Sequence, residues 1–125
     1  SESAPPALMD RWTMARVRVM YWKEIPIQVQ AEDEEGNFSR PLDERFQKAI
    51  DAVAMKDGSE GTDAYLDAWD FGSFSEIEGN AADSAEKIAI NLEKMPSNFV
   101  KRIFEMQRNG SRVPTPGAID HWIES

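Results

Sequence analysis

The chain contains no cysteine. That removes a disulfide framework, a thiolate nucleophile and any Cys-ligated zinc or iron–sulfur centre. A reducing compartment is the default for such a chain, and the expected location is the cytoplasm. Histidine is nearly absent too: His121 stands alone, beside Trp122. A histidine-based triad has only that one place to form, and no nucleophile is visible to complete it. Basic residues are in deficit, 14 against 23 acidic ones, for a net charge of −9. A groove that tracks a phosphate backbone needs clustered Lys and Arg, so nucleic acid is not an expected partner. No apolar run is long enough to span a bilayer, and no basic-then-apolar start resembles a signal peptide; no membrane association is expected. The motifs GxxxxGK[ST], GxGxxG after a strand, GxSxG and HExxH are all missing. The acidic stretch Glu32-Asp33-Glu34-Glu35 does not meet the calcium-loop pattern. No catalytic residue, metal ligand or cofactor is expected, and the chain reads as a non-enzyme.

What remains is a sequence of 125 residues, 41% apolar, enough for one domain with a real core. Residues 1–14, opening SESAPPALMD, read as a disordered lead or a vector-derived remnant; residues 15–125 read as the domain. Its most β-prone stretch is RVRVMYWKEIPIQVQA, Arg16 to Ala31. Val17, Val19 and Tyr21 alternate with Arg18, Met20 and Trp22. After a connection at Lys23-Glu24, Ile25, Ile27, Val29 and Ala31 alternate with Gln28 and Gln30. Period-two alternation of this kind predicts a hairpin. A hairpin alone is marginal in water, so later segments must cover its apolar face.

Glu32 to Arg40 reads as a loop. Leu42 to Met55 is the best helix, with Phe46, Ala49, Ile50, Val53 and Ala54 on one face of a 3.6-residue period; Ser39 is its expected N-cap, and Gly58 stops it. Asp63 to Phe71, DAYLDAWDF, reads as a third strand, with Tyr65, Trp69 and Phe71 on one parity. A further strand fits Gly72–Ile77 or Arg112–Thr115. A second helix runs from Ala81 to Glu93, capped by Asn80 or Asp83. A third opens near Ser97 and ends at Asn109-Gly110. One last helical turn is expected over Ala118–Ile123. The order β-β-α-β-α-α is an α+β fold: a small antiparallel sheet with helices packed on one face. The other face is then left to the aromatics of its strands, Trp22 and Trp69 among them.

Three blocks in this order, YWKEIP, FQKAIDAVAM and DAYLDAW, with PGAIDHW closing the chain, resemble the small bacterial virulence factor family. The same module stands at the C-terminus of conserved virulence factor C proteins, beside HEAT-type repeats that this chain lacks. The resemblance implies a compact domain without defined catalytic residues. It also implies a neighbourhood of folate- and corrinoid-dependent one-carbon enzymes.

The expected function is therefore a non-catalytic protein-binding or accessory module. Its partner would be a larger cytoplasmic protein or an enzyme subunit, with a homodimer as the other option. The expected contacts are Tyr21, Trp22, Trp69 and Phe71, with Lys23, Glu24 and Asp67 at the rim, since exposed aromatics ringed by charge mark a partner surface. The alternative is an accessory subunit or ligand-binding protein of folate/corrinoid one-carbon metabolism, in which a pterin stacks on Trp22 or Trp69 beside Asp67. A third option uses paired carboxylates, Asp67 and Asp70 with Glu24, for hydrolysis.

Overall fold

The computed structural model describes residues 14–123. The lead expected over 1–14 lies outside the described residues except for Met14, which opens the first strand. The hairpin forms as its alternation requires: β1 (Met14–Trp22) and β2 (Ile25–Asp33) pair antiparallel across a turn at Lys23-Glu24. Lys23 takes φ +53°, the left-handed conformation that tight hairpin turns demand. Register slips by one between Met20↔Gln28 and Tyr21↔Pro26, so Ile27 is the odd residue of a bulge.

β2 continues into β3 (Gly36–Pro41), which pairs it antiparallel along its other side. β3 corrects the expected loop. Its sequence GNFSRP is poor in β-formers, so propensity hides it; the ladder to β2 and the helix above it hold it extended. Pro41 ends this edge strand, a position where a missing N–H costs no ladder bond. The first helix accordingly begins later than expected. Asp43, not Ser39, caps α1 (Glu44–Asp57), accepting from the Arg45 N–H, and Gly58 ends it at φ +85°.

The segment DAYLDAWDF is not one strand. It forms a short helix α2 (Asp63–Asp67) and then β4 (Trp69–Phe71). Tyr65 and Trp69 are four residues apart, a spacing that fits a helical turn as well as it fits a strand. Asp and Ala are weak strand formers. Leu66 is 67% exposed. β5 (Ser75–Glu78) follows in one of the two places left open for a further strand. β4 and β5 both pair antiparallel with β1. Between the pairs Met20↔Phe71 and Val17↔Ser75, β1 carries residues 18–19 and its partner carries 72–74. Trp69 to Glu78 is thus one interrupted strand with a residue to spare. The sheet order is β3-β2-β1-β4, with β5 beside β1 on the same flank as β4.

α3 (Ala81–Leu92), capped by Asn80, lies over β1, β2 and β3. Ala81, Ala85 and Ala89 recur every fourth residue on its buried side, and such small side chains let the helix approach the valine face of the sheet closely. α4 (Phe99–Asn109) ends at Gly110 and packs on α1, with Phe46 and Phe99 stacked at 5.5 Å. An extended stretch leads to a closing 3-10 turn at Asp120–Trp122, where Ile119 joins the core. The fold is α+β, an open antiparallel sheet with four α-helices among the described residues.

Candidate functional site

β1 has two very different ends. At its C-terminal end Tyr21 and Trp22 are both buried, at 5% and 0% exposure. Successive strand residues point to opposite faces, so this end is covered from both sides. Trp22 lies under α2: its indole N–H donates to the Tyr65 carbonyl at 3.0 Å, and the two rings sit 5.6 Å apart. Tyr21 reaches the C-terminal segment, where its hydroxyl donates to Asp120 Oδ2 at 2.6 Å. Burial, with Asp120 as acceptor, pushes the Tyr21 hydroxyl far above the usual phenol range. Burial also lifts Asp120, against the lowering effect of the bond from Tyr21.

Four charges close the same end. Glu24, 1% exposed, accepts two bonds from Arg112, Nε–H to Oε2 at 2.6 Å and Nη2–H to Oε1 at 2.7 Å. Arg112 also donates to Asp57 at 2.9 Å. Lys23 donates to Asp57 and to the Ser59 hydroxyl, both at 2.7 Å. Two cations meet two carboxylates, so the cluster is neutral and its polar atoms are satisfied. Burial alone would push the Asp57 carboxyl up; the bonds from Lys23, Ser59 and Arg112 outweigh it and hold Asp57 at about 2. Burial likewise opposes the charge on Arg112, yet Glu24 and Asp57 keep its guanidinium above the ordinary value.

These observations correct the expected contact set. Tyr21, Trp22 and Glu24 are sealed inside, and Lys23 is half-buried and committed to Asp57. α2 contributes to this by laying Tyr65 over the Trp22 indole, which also belongs to the main core. Asp67 is exposed at the end of α2. Trp69 is half-buried, its ring edge-on to Tyr65 at 6.0 Å. Phe71 is half-buried as well and pairs across from Met20. Of the acid–base candidates, Glu24 is locked to Arg112. Asp70 is exposed and accepts the Phe71 N–H at 2.8 Å.

The N-terminal half of β1 presents the other arrangement. Val17 and Val29 are buried beneath α3. The opposite parity faces away from it: Arg16, Arg18 and Met20 of β1, across from Glu32, Gln30 and Gln28 of β2. Asn37, Ser39 and Pro41 of β3 extend the same face. Arg18 donates through Nε–H and Nη2–H to Gln30 Oε1 at 3.3 and 3.2 Å. Its guanidinium lies 3.6 Å from the Phe71 ring centroid and 4.7 Å from that of Phe74. Arg16 stacks on Phe74 at 4.0 Å and pairs with Glu32 at 2.8 Å. Arg16, Arg18, Gln28, Gln30 and Phe74 were not among the expected site residues; the shared parity of the first four in the hairpin was the available signal, and Phe74, outside the hairpin, gave none.

A family model described as "Virulence factor" matches residues 20–110. The chain belongs to this family. The match contains the YWKEIP, FQKAIDAVAM and DAYLDAW blocks, and it stops short of Arg112 and the closing turn. No curated protein and no solved structure matches the chain. In the YWKEIP block of this chain, Trp22, Glu24, Ile25 and Pro26 are buried and Lys23 is ion-paired, so this block holds the fold together. Among the described residues no group of three or more His, Asp or Glu side chains could hold a metal ion, and no helix is long and apolar enough to cross a membrane.

Proposed function

We propose that this virulence factor family member is a non-catalytic docking module that binds a larger protein through the open face of its sheet. The observation that carries the reading is the asymmetry of that sheet. α3 covers one side of β1, β2 and β3, while the other, among the described residues, sets stacked Arg16 and Arg18 against half-buried Phe71 and exposed Phe74, beside the polar side chains of Gln28, Gln30, Asn37 and Ser39. Arg and aromatic residues are enriched at interface cores, and stacking fixes them in advance, which lowers the entropy cost of association. The chemistry of the hairpin end supports the reading from the other side, because its charges are already spent on one another.

The one-carbon alternative has less support. Trp22 has no free face to offer a pterin, and Trp69 already carries the edge contact of Tyr65.

A photo-crosslinking residue placed at Ser39, on the open face, tests the proposal in the cell of origin, with Ile90 on the outer side of α3 as the control. Ser39 is expected to trap one larger protein, and Met20→Glu is expected to abolish that adduct. Equal trapping from Ile90, or an adduct indifferent to Met20→Glu, overturns it. A Ser39 adduct of twice the chain's own mass replaces the larger partner by a second copy and also refutes this reading.

A further inference from the structure

We infer that the open face contains a built carboxylate-binding pocket centred on Arg18, and that an Asp or Glu side chain of the docked partner occupies it; this rests on the docking reading above. The pocket, about 240 Å³, is lined by Arg18, Gln30, Glu32, Asn37, Ser39 and Phe74, together with neighbouring backbone. Several other arginines of this chain are paired with acids: Arg16 with Glu32, Arg40 with Glu86 and Glu93, Arg45 with Asp43, Arg112 with Glu24 and Asp57. Arg18 has no carboxylate within salt-bridge distance among the described residues, in a chain with an excess of nine negative charges.

Its guanidinium is nonetheless held. The Gln30 carbonyl oxygen accepts from Nε and Nη2, and the Phe71 and Phe74 rings fix its plane. Nη1 keeps both of its hydrogens and Nη2 keeps its second, so the end-on Nη1/Nη2 fork that matches a carboxylate is preformed. The Asn37 amide and the Ser39 hydroxyl add neutral donors at the pocket wall. Glu32, the one acid of the lining, is neutralised by Arg16 at 2.8 Å, so it does not repel an incoming monoanion.

The count of charges selects the ligand. One uncommitted guanidinium matches one carboxylate. A phosphate dianion or a nucleic-acid backbone asks for several cations, and Glu76 and Glu78 lie on the same face, opposite Arg16 and Met14.

The test uses capped glutamate (N-acetyl-glutamate-N-methylamide) as the probe, titrated into the 15N-labelled protein at constant ionic strength set with chloride. The Arg18 Nε–H resonance and the side-chain amides of Gln30 and Asn37 are followed by NMR. Arg18→Lys identifies the first of these by its loss. All three are expected to move saturably, while the buried Arg112 Nε–H stays still. Arg18→Lys is expected to weaken the response of Asn37 about tenfold, because an ammonium lacks the planar fork. Linear, non-saturating shifts equal to those given by chloride alone overturn the inference. So does tighter saturation by inorganic phosphate or by a thymidine oligonucleotide. If Ser39 still traps its partner while Arg18 ignores the glutamate probe, the docking reading survives and this inference fails.

Discussion

The two ends of β1 use the same residue types for opposite ends. At Tyr21–Glu24 aromatics and charges are buried and mutually satisfied; at Arg16–Met20 they are stacked, half-exposed and open to a visitor. A buried ion pair gives up hydration for Coulomb attraction and is tolerated only when each of its charged polar atoms finds a partner. The Glu24–Arg112–Asp57–Lys23 cluster meets that condition, and so it locks the hairpin turn, the end of α1 and the C-terminal segment together. Arginines on the open face give up little hydration, and their stacking contributes only modest stability. The contrast separates residues that hold the fold from residues that remain available to a partner, although the two regions meet along one nine-residue strand and the turn that follows it.

Removing one member of the buried cluster should have the largest effect. Glu24→Ala leaves Arg112 with one carboxylate fewer in a closed site, at a cost of about 3–5 kcal/mol, read from the urea midpoint at unchanged m-value. The paired replacement Glu24→Leu with Arg112→Met should recover much of the loss. No recovery would show that packing, not charge pairing, governs this end.

Acid comes next. Asp57 has an ordinary value of 3.8 and is held at about 2 in the folded chain. A depressed carboxylate contributes stability that is fully present above the unfolded value and is lost as pH falls through the folded one. The contribution, about 2 kcal/mol, should therefore be intact at pH 5 and disappear between about pH 4 and pH 2. Thermal denaturation across that window checks it, and Asp57→Asn should flatten the slope there.

The smallest effect is expected at the other end. Arg18→Ala should cost about 1 kcal/mol, the order of an exposed stacking contact. A loss comparable to that of Glu24→Ala would erase the distinction between the two regions.

Much of the architecture was readable beforehand, and the exceptions have physical causes. The hairpin, the helices at 44–57, 81–92 and 99–109 and the final turn follow from alternation, 3.6-residue periodicity and capping. β3 was hidden because its residues prefer no strand and are held by neighbours distant in sequence. α2 was hidden because Tyr65 and Trp69 satisfy two periods at once. The site was half-readable for the same reasons. The polar parity of the hairpin already set Arg18 and Met20 opposite Gln28 and Gln30. Strict alternation also sent Trp22 to that side, but α2, contributed by a segment some forty residues later, roofs it. The ion cluster joins Glu24 to Arg112 across 88 positions, a distance over which local patterning carries no information.

The spare residue between β4 and β5 has a consequence for the behaviour of the protein at high concentration. Sheets with bare flanks invite endless lateral growth, and chains counter this by making those flanks irregular. Here one flank is kinked at residues 72–74, and the other terminates in a proline that cannot donate. Both irregularities work against edge-to-edge pairing of one copy of the chain with the next.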